Sequence, residues 1–465
     1  LGHSWAISSN FTNQATIGVS HSGLDFLAPY APASPNIFGF GGISGPYAPI
    51  DTQFRIVDTP TIRDDATWTI GNHAVMFGAQ IKPIRSQSGL VNDFNSVGIG
   101  LGGNLTALSA AFRPANLLST ANTRASYDSL FTTLLGRYAS ISTVFNYDID
   151  SQPRALASGK ERDYRYNEYE LYAQDNWKIR SDLTLNAGVR WQYYQPPYEK
   201  NGFQAHNDID IDELLKIRIA NAAAGIGGAG AEPLLSYDLI GPENGRRNIY
   251  KRDLNNFGPR LGFAWNPSVK SGFLGTLLGD RKSVFRGGAS LVYDRVGGGI
   301  TFIQDQVSYI FDGSRTTNFG VNLNPLASLL SDPRFAGTGT LPLQNTAPVI
   351  TRPYTPFVLP NGDPDPDQAG QQNYTITQNF EIPYSYQWSF GYQRDLPKNF
   401  FIDVSYVGRK GQKLFAQADA SQALNFRDPA SGQYLFDAFR QIQAQVAAGQ
   451  TVTPQPWFEN QIGPG

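Results

Sequence analysis

YRYNEYELYAQDNWKIRSDLTLNAGVRWQYY, residues 164–194, is the stretch that decides the fold. It reads as two long β-strands joined by a polar turn at Arg180-Ser181-Asp182. In the second strand Leu183, Leu185, Ala187, Val189, Trp191 and Tyr193 share one face. Asp182, Thr184, Asn186, Gly188, Arg190 and Gln192 share the other, because side chains alternate along a strand. The first strand divides the same way: Tyr169, Leu171, Ala173 and Trp177 against Glu168, Glu170, Gln174 and Asn176. Each run outlasts the roughly 5–6 residues of an ordinary globular strand and suits the ~9–11 with which a tilted strand crosses a bilayer. Trp and Tyr close the apolar faces, as in an interfacial girdle. Half-buried strands of a soluble sandwich also alternate, so one hairpin leaves both architectures open.

The pattern recurs along the chain. A first hairpin pairs 3–8 with 15–21 around Asn10-Phe11-Thr12-Asn13, and a Gly/Pro/Ser-rich stretch, 22–60, reads as loop. Trp68 and Ile70 lead into the turn pair Gly71-Asn72; His73, Val75, Phe77, Ala79 and Ile81 then share a face. Loop is expected again over 83–124, including VGIGLGGN, which lacks the strand–helix context of a phosphate loop. Residues 127–148 are ambiguous, with helical spacing at Leu130, Phe131, Leu134 and Leu135 before an extended ISTVFNYD. The clearest helix is DELLKIRIANAAA, 212–224, ending at Gly225 inside a long insertion, 196–253.

Strands follow at 256–265, with Phe257, Leu261, Phe263 and Trp265 opposite Gly258, Arg260, Gly262 and Ala264, and at 283–293, with Phe285, Ala289, Leu291 and Tyr293 opposite Arg286, Ser290 and Asp294. A third insertion, 295–382, precedes a hairpin of 386–395 with 400–408, whose apolar face holds Trp388, Phe390, Tyr392, Ile402, Val404 and Tyr406. Short connections thus alternate with long ones. Outer-membrane barrels have short periplasmic turns and long extracellular loops, an order that Greek-key sandwiches do not keep.

Composition narrows the classes further. The 465 residues are 41% hydrophobic with mean hydropathy −0.31, and no apolar run reaches the ~20 residues of a membrane helix. A barrel needs only every second residue apolar. Net charge −2 and pI near 6.1 provide no basic field for nucleic acid. Cys 0 excludes disulfides, thiolate metal sites and a cysteine nucleophile.

Little else points to chemistry. His3, His21, His73 and His206 are scattered, without the pairing of a zinc helix. The acidic runs NDIDIDE, 207–213, and DPDPDQ, 363–368, offer oxygens for calcium but lack an EF-hand frame, so calcium in the loops stays an open reading beside solvated loop. Glu168 and Glu170 have the proximity of a carboxylate pair, yet the lumen of a barrel is polar in any case and lumenal lining is the favoured reading. The lumen-facing candidates are Glu168, Glu170, Gln174, Arg190, Arg260, Arg286 and Asp294, with the arginines expected to form ion-pair ladders with the acids. The lipid-facing candidates are Leu171, Leu185, Val189, Trp191, Phe263, Trp388 and Val404. Leu185→Arg is therefore expected to impair membrane assembly, and Thr184→Arg to be tolerated.

Three segments resemble one family. YELYAQDNWKIRSDLTLNAGVRWQYYQPP (169–197) is similar to a characteristic hairpin of TonB-dependent outer-membrane receptors. NNFGPRLGFAWNP (255–267) with SVFRGGASLVYDR (283–295), and IPYSYQWSFGYQRDLPKNFFIDVSYVGRKGQKL (382–414), resemble later strands of the same proteins. Their combination is most similar to the large Oar-like receptors, which carry a carboxypeptidase-regulatory-like β-domain. The resemblance implies an antiparallel transmembrane barrel of about 22 strands around a plug. It also implies energised uptake of an extracellular substrate through the TonB complex, in the outer membrane of a Gram-negative bacterium and surrounded by its lipid. The strands found amount to about half a barrel. No plug or TonB-box segment is recognised, and the C-terminal QIGPG lacks the family's aromatic strand end. The plug and N-terminal β-domain are expected outside this chain, with the wall completed by missing sequence or by partner chains. The other readings are an outer-membrane adhesin anchored by its barrel and a soluble glycan-binding sandwich. No enzyme activity is expected, and the cargo is not legible.

Overall fold

In the computed structural model the chain forms one broad antiparallel sheet with a folded body at one end. The structure describes residues 1–27, 36–42, 53–90, 95–118, 120–156, 158–228, 230–306, 310–318, 347–355, 375–420 and 422–462. The strands are β1 (Gly2–Ser8), β2 (Phe11–Phe26), β3 (Asn36–Phe40), β4 (Gln53–Ile70), β5 (His73–Leu90), β6 (Asn95–Ile99), β7 (Tyr138–Asn146), β8 (Lys160–Arg180), β9 (Leu183–Tyr194), β10 (Tyr198–Glu199), β11 (Ala205–Asn207), β12 (Tyr237–Leu239), β13 (Asn256–Trp265), β14 (Ser283–Tyr293), β15 (Asp312–Asn318), β16 (Tyr384–Leu396) and β17 (Phe400–Gln412). The helices are α1 (Ala121–Leu134), α2 (Ile211–Ala224), α3 (Gly272–Leu278), α4 (Gly297–Gln306), α5 (Leu435–Ala447) and α6 (Pro456–Gln461). No helix among the described residues is long and apolar enough to cross a membrane.

The wall runs β1-β2-β4-β5-β8-β9-β13-β14-β16-β17, and each strand is antiparallel to the next. Spatial order follows chain order, so successive connections alternate between the two ends. Ser9-Asn10, Gly71-Asn72, Ser181-Asp182 and the Pro397–Asn399 turn close one end, together with the 266–282 connection that carries α3. Connections 27–52, 91–159, 195–255 and 294–383 all lie at the other. Among the described residues β1 and β17 stand at the two edges and do not pair, so the wall is an open arc of a barrel.

Several strands extend beyond their expected limits. The first turn is two residues tighter than read, with Ser8 opposite Phe11. The stretch 22–60, expected to be loop, contributes the end of β2 and the start of β4, and β5 continues through Pro83 to Leu90. Breakers should have stopped these strands. Instead Pro60 and Pro83 fall opposite one another, in the gap between the Asp58–Arg85 and Ile62–Ile81 pairs. The two missing N–H groups coincide on one rung, so the ladder is interrupted only once. Within VGIGLGGN the first residues belong to β6, which pairs in parallel with β3. The acidic run 363–368 lies outside the described residues.

The packed core lies in the long connections, not in the wall. β3, β6, β7 and β15, drawn from three of them, form a four-stranded mixed sheet in the order β15-β7-β6-β3. β7 buries Ala139, Ile141, Thr143 and Phe145 on alternate positions, the period of a one-sided strand. One cluster joins Phe145 and Tyr147 to Ala205 and Tyr237 and to Ile310, Phe311 and Ile350, one group from each of the last three connections. A second packs Ile240, Ile249 and Tyr250 against Ile300, Ile376, Phe380 and Ile382, at the upper end of β9. Backbone bonds reinforce them: Tyr147 N to Phe311 O at 2.8 Å, and Tyr237 and Tyr354 exchanging both bonds at 2.7 Å. The helix expected at 212–224 is α2, capped by Asp210 and ended by Gly225 at φ 72°. The segment after β17 packs on it, with Arg427 N donating to Ala222 O at 2.8 Å. Apart from the helix at 212–224 and the ambiguous 127–148, these connections read as loops in the sequence, since the residues that pack together lie far apart along the chain.

Candidate functional site: the polar wall and the loop body

Strand pairing carries the in/out alternation from one strand to the next. Residues opposite one another share a face, and the register holds without a bulge from β2 to β16 except beside the Arg180 turn. Leu171, Leu185, Val189, Trp191, Phe263, Trp388 and Val404 all fall on one face. Glu168, Glu170, Gln174, Arg190, Arg260 and Arg286 fall on the other. Asp294 lies one residue past β14, and its backbone N–H donates to Pro383 O at 2.8 Å.

The polar face is crossed by a charged network on β4, β5, β8 and β9. Arg190 Nη1 donates to Glu170 at 3.0 Å, and Gln192 Nε2 donates to the same carboxylate at 3.3 Å and to the Tyr194 hydroxyl at 2.9 Å. Glu168 is buried; Arg295 Nε donates to one of its oxygens at 2.7 Å, and Lys82 Nζ stands 4.0 Å from the other. The Tyr172 hydroxyl donates to Asp65 at 2.5 Å, and Arg63 pairs with the same carboxylate at 2.6 Å.

The expected ladder is thus partly wrong. Arg190 has its acid, but Arg260 and Arg286 are exposed and have no ion-pair partner among the described residues. Glu168 is held by Lys82 and Arg295, not by a wall arginine. Arg63 and Asp65 on β4 and Tyr172 on β8 were missed, although extending the alternation along those strands would have placed them on the polar face; Lys82 is read on that face in the sequence, but not as a partner of Glu168.

Polar pairs interrupt the apolar face, and their partners are not read from the sequence. Asn13 Nδ2 donates to Asp64 at 2.8 Å. His73 Nδ1 lies 2.6 Å from Asp175, with its ring stacked on Trp177 at 5.2 Å, beside the short-turn end. In both of these pairs the polar groups are partnered on the same face, which lowers their exposure cost.

In the loop body, β11 and β12 border a cavity of about 190 Å³ lined by His206, Asn207, Asp208, Asp238, Arg246 and Arg247. His206 is buried, and burial pulls its pKa down from 6.5 to about 4, with the Arg247 charge adding to the effect. Its Nε2 lies 2.9 Å from Ile376 O and 3.1 Å from Thr375 Oγ1. Arg246 pairs with Asp238. The acidic run 207–213 is largely committed to local structure: Asp210 accepts from Asp212 N at 2.9 Å and Gln378 N at 2.7 Å, and Asp212 accepts from Thr377 Oγ1 at 2.6 Å.

A family model described as an outer membrane beta barrel domain matches residues 1–462. No curated protein matches the sequence. Among solved structures, the outer membrane transporter YddB from Escherichia coli aligns over 88% of this chain and 39% of its own, at 13% identity and TM-score 0.38. The ferric-catecholate import receptor Fiu from E. coli aligns over 93% and 41%, at 10% identity and TM-score 0.32. The alcaligin outer membrane receptor FauA from Bordetella pertussis aligns over 93% and 45%, at 7% identity and TM-score 0.26. The chain spans less than half the length of each.

Proposed function

The chain belongs to the outer membrane β-barrel domain family, and from that premise we propose that it is the wall and outer loop body of a TonB-dependent receptor of the Oar-like type, which takes up a large solute. Its place is the outer membrane of a Gram-negative bacterium. In this reading the apolar face meets lipid and the polar face lines the lumen, so Leu171, Val189, Phe263 and Val404 touch acyl chains. Glu168, Glu170, Gln174, Arg190, Arg260 and Arg286 face the interior, with Asp294 at its rim. The plug, the N-terminal β-domain and the contact with the TonB complex belong to the rest of the full-length protein. The reading assigns no catalysis and no resident cofactor.

One observation supports it most: polar side chains occupy the same face of ten successive strands, opposite a face of Leu, Val, Phe, Trp and Tyr. A sheet with one wet and one greasy side, and its long connections gathered at one end, is built to separate an aqueous path from hydrocarbon. The test compares cells with and without the full-length protein. Solutes removed from the growth medium are followed by mass spectrometry, before and after collapse of the inner-membrane proton gradient. At least one solute should vanish only when both the protein and the gradient are present. No such solute, together with loss of surface attachment on deletion, would favour the adhesin reading instead.

A further inference from the structure

We infer that the β13–β17 half of the polar face is a track for an anionic solute bearing several carboxylates or phosphates. The inference rests on the reading that this face lines a transport path. The two halves of the wall treat charge differently. On β4 to β9 every acid named above has a basic or hydrogen-bonding partner: Asp65 with Arg63, Glu168 with Lys82 and Arg295, Glu170 with Arg190. On β13, β14, β16 and β17 the polar face carries Arg260, Arg286 and Arg409, all exposed and none with an ion-pair or hydrogen-bond partner among the described residues. The acids of that half stand at its two ends: Asp395 and Asp403 toward the short turns, where Asp403 accepts from Gln393 Nε2 at 3.0 Å, and Asp294 one residue past β14 at the opposite rim.

The register fixes the spacing. Arg260, Ser290, Gln387 and Arg409 occupy one rung, so Arg260 and Arg409 are three strands apart, about 14 Å at the usual strand separation. Arg286 lies four residues nearer the short turns than Ser290, about 13 Å along the strand. Between the three arginines lie Gly262, Gly288, Ser389, Gly391 and Ser405, with the exposed Val407 beside Ser389 at the β17 edge. An added Cβ at Gly262 or Gly391 would meet nothing closer than 3.5 Å and 3.9 Å, so no side chain covers the backbone there. On the opposite face the glycines are covered: a Cβ at Gly287 would meet the Phe263 ring at 2.6 Å. Apart from Val407 at its edge, the polar side is therefore a low floor of hydroxyls and bare backbone, framed by three guanidinium groups that are unpaired among the described residues. Guanidinium binds carboxylate and phosphate in a two-pronged fashion, and unpaired charge along a pore sets which ions it favours.

The test uses the purified full-length protein with tripolyphosphate as probe and spermidine as cationic control, titrated calorimetrically at low salt. The wild type should bind tripolyphosphate and ignore spermidine. Replacing all three, Arg260→Gln, Arg286→Gln and Arg409→Gln, should weaken binding about tenfold or more, since a charge-assisted contact is of that order. The matching lysine triple should keep most of the affinity, which shows that the surface has not been disrupted. Arg63→Gln, which alters an arginine already paired, should leave binding unchanged. Equal binding by the wild type and the glutamine triple overturns the track. The glutamine triple is also tested in the medium-depletion experiment. Depletion that persists unchanged overturns the track and leaves uptake standing. Probe binding lost in the triple, with no protein-dependent depletion at all, overturns uptake and leaves the anionic surface standing.

Discussion

His206 couples the loop body to pH. Unfolded, its imidazole takes up a proton near pH 6.5; buried, it does so at about 4. Between those values the unfolded segment binds more protons than the folded one, so stability falls as pH drops from 6.5 toward 4 and is unaffected above 6.5. The full difference is about 3 kcal/mol, reached only below pH 4. Hydrogen exchange at 205–207 and 237–239 should therefore speed up on acidification from pH 7 to pH 5, and His206→Gln should flatten that dependence. On the wall, an added Cβ at Gly408 would collide with the Trp388 indole. Gly408→Ala should cost about 1–3 kcal/mol through overpacking, seen as a lower temperature at which the protein loses its compact gel mobility. Residues of this kind were only half legible. Arg190 and Arg286 occupy equivalent places in their alternating strands, yet only Arg190 has an acid on its neighbour. Which arginine finds a partner depends on the register of two other strands, and one strand's sequence does not contain that.

At the scale of the strand, alternation carried most of the information. Ten or more residues of period two leave no ambiguity about which side chains share a face. The strand ends were less legible, because a proline weakens a ladder only according to what lies opposite it. Pro60 and Pro83 meet on one rung, so β4 and β5 continue through a stretch whose composition argues for loop. The pairing also refines the substitution test. Leu185 is opposite Trp177, which is in turn opposite His73, at the short-turn margin of the apolar face. Val189 pairs with Ala173 and Pro259, farther from the turn. The cost of a cation on the lipid side is depth-dependent, ~2–4 kcal/mol near the midplane. Val189→Arg should thus reduce assembled, heat-modifiable protein more than Leu185→Arg does, and Asn186→Arg, on the polar face, should leave the yield near wild type. Equal losses for Val189→Arg and Asn186→Arg would mean that the two faces have been assigned wrongly.

Across the whole molecule the wall was readable and the body above it was not. The body's clusters draw single residues from connections separated by more than a hundred positions, such as Tyr147 with Phe311. No window of sequence shows that such residues meet. The arrangement predicts joint behaviour. Tyr237→Ala should cost about 3–5 kcal/mol, as for large aromatic truncations, and should open connections 91–159, 195–255 and 294–383 to protease together. The wall should keep its heat-modifiable mobility. Cleavage confined to 195–255 would show that the connections fold separately. The gathering of every long connection at one mouth gives the arc a mechanical asymmetry. Like staves bound by a single hoop, the strands are tied to distant neighbours at that rim, whereas among the described residues the other rim is joined by corners of two or three residues and the 266–282 connection. Lateral splaying under load therefore starts at the unhooped rim, and anything gripped by the body pulls on many staves at once.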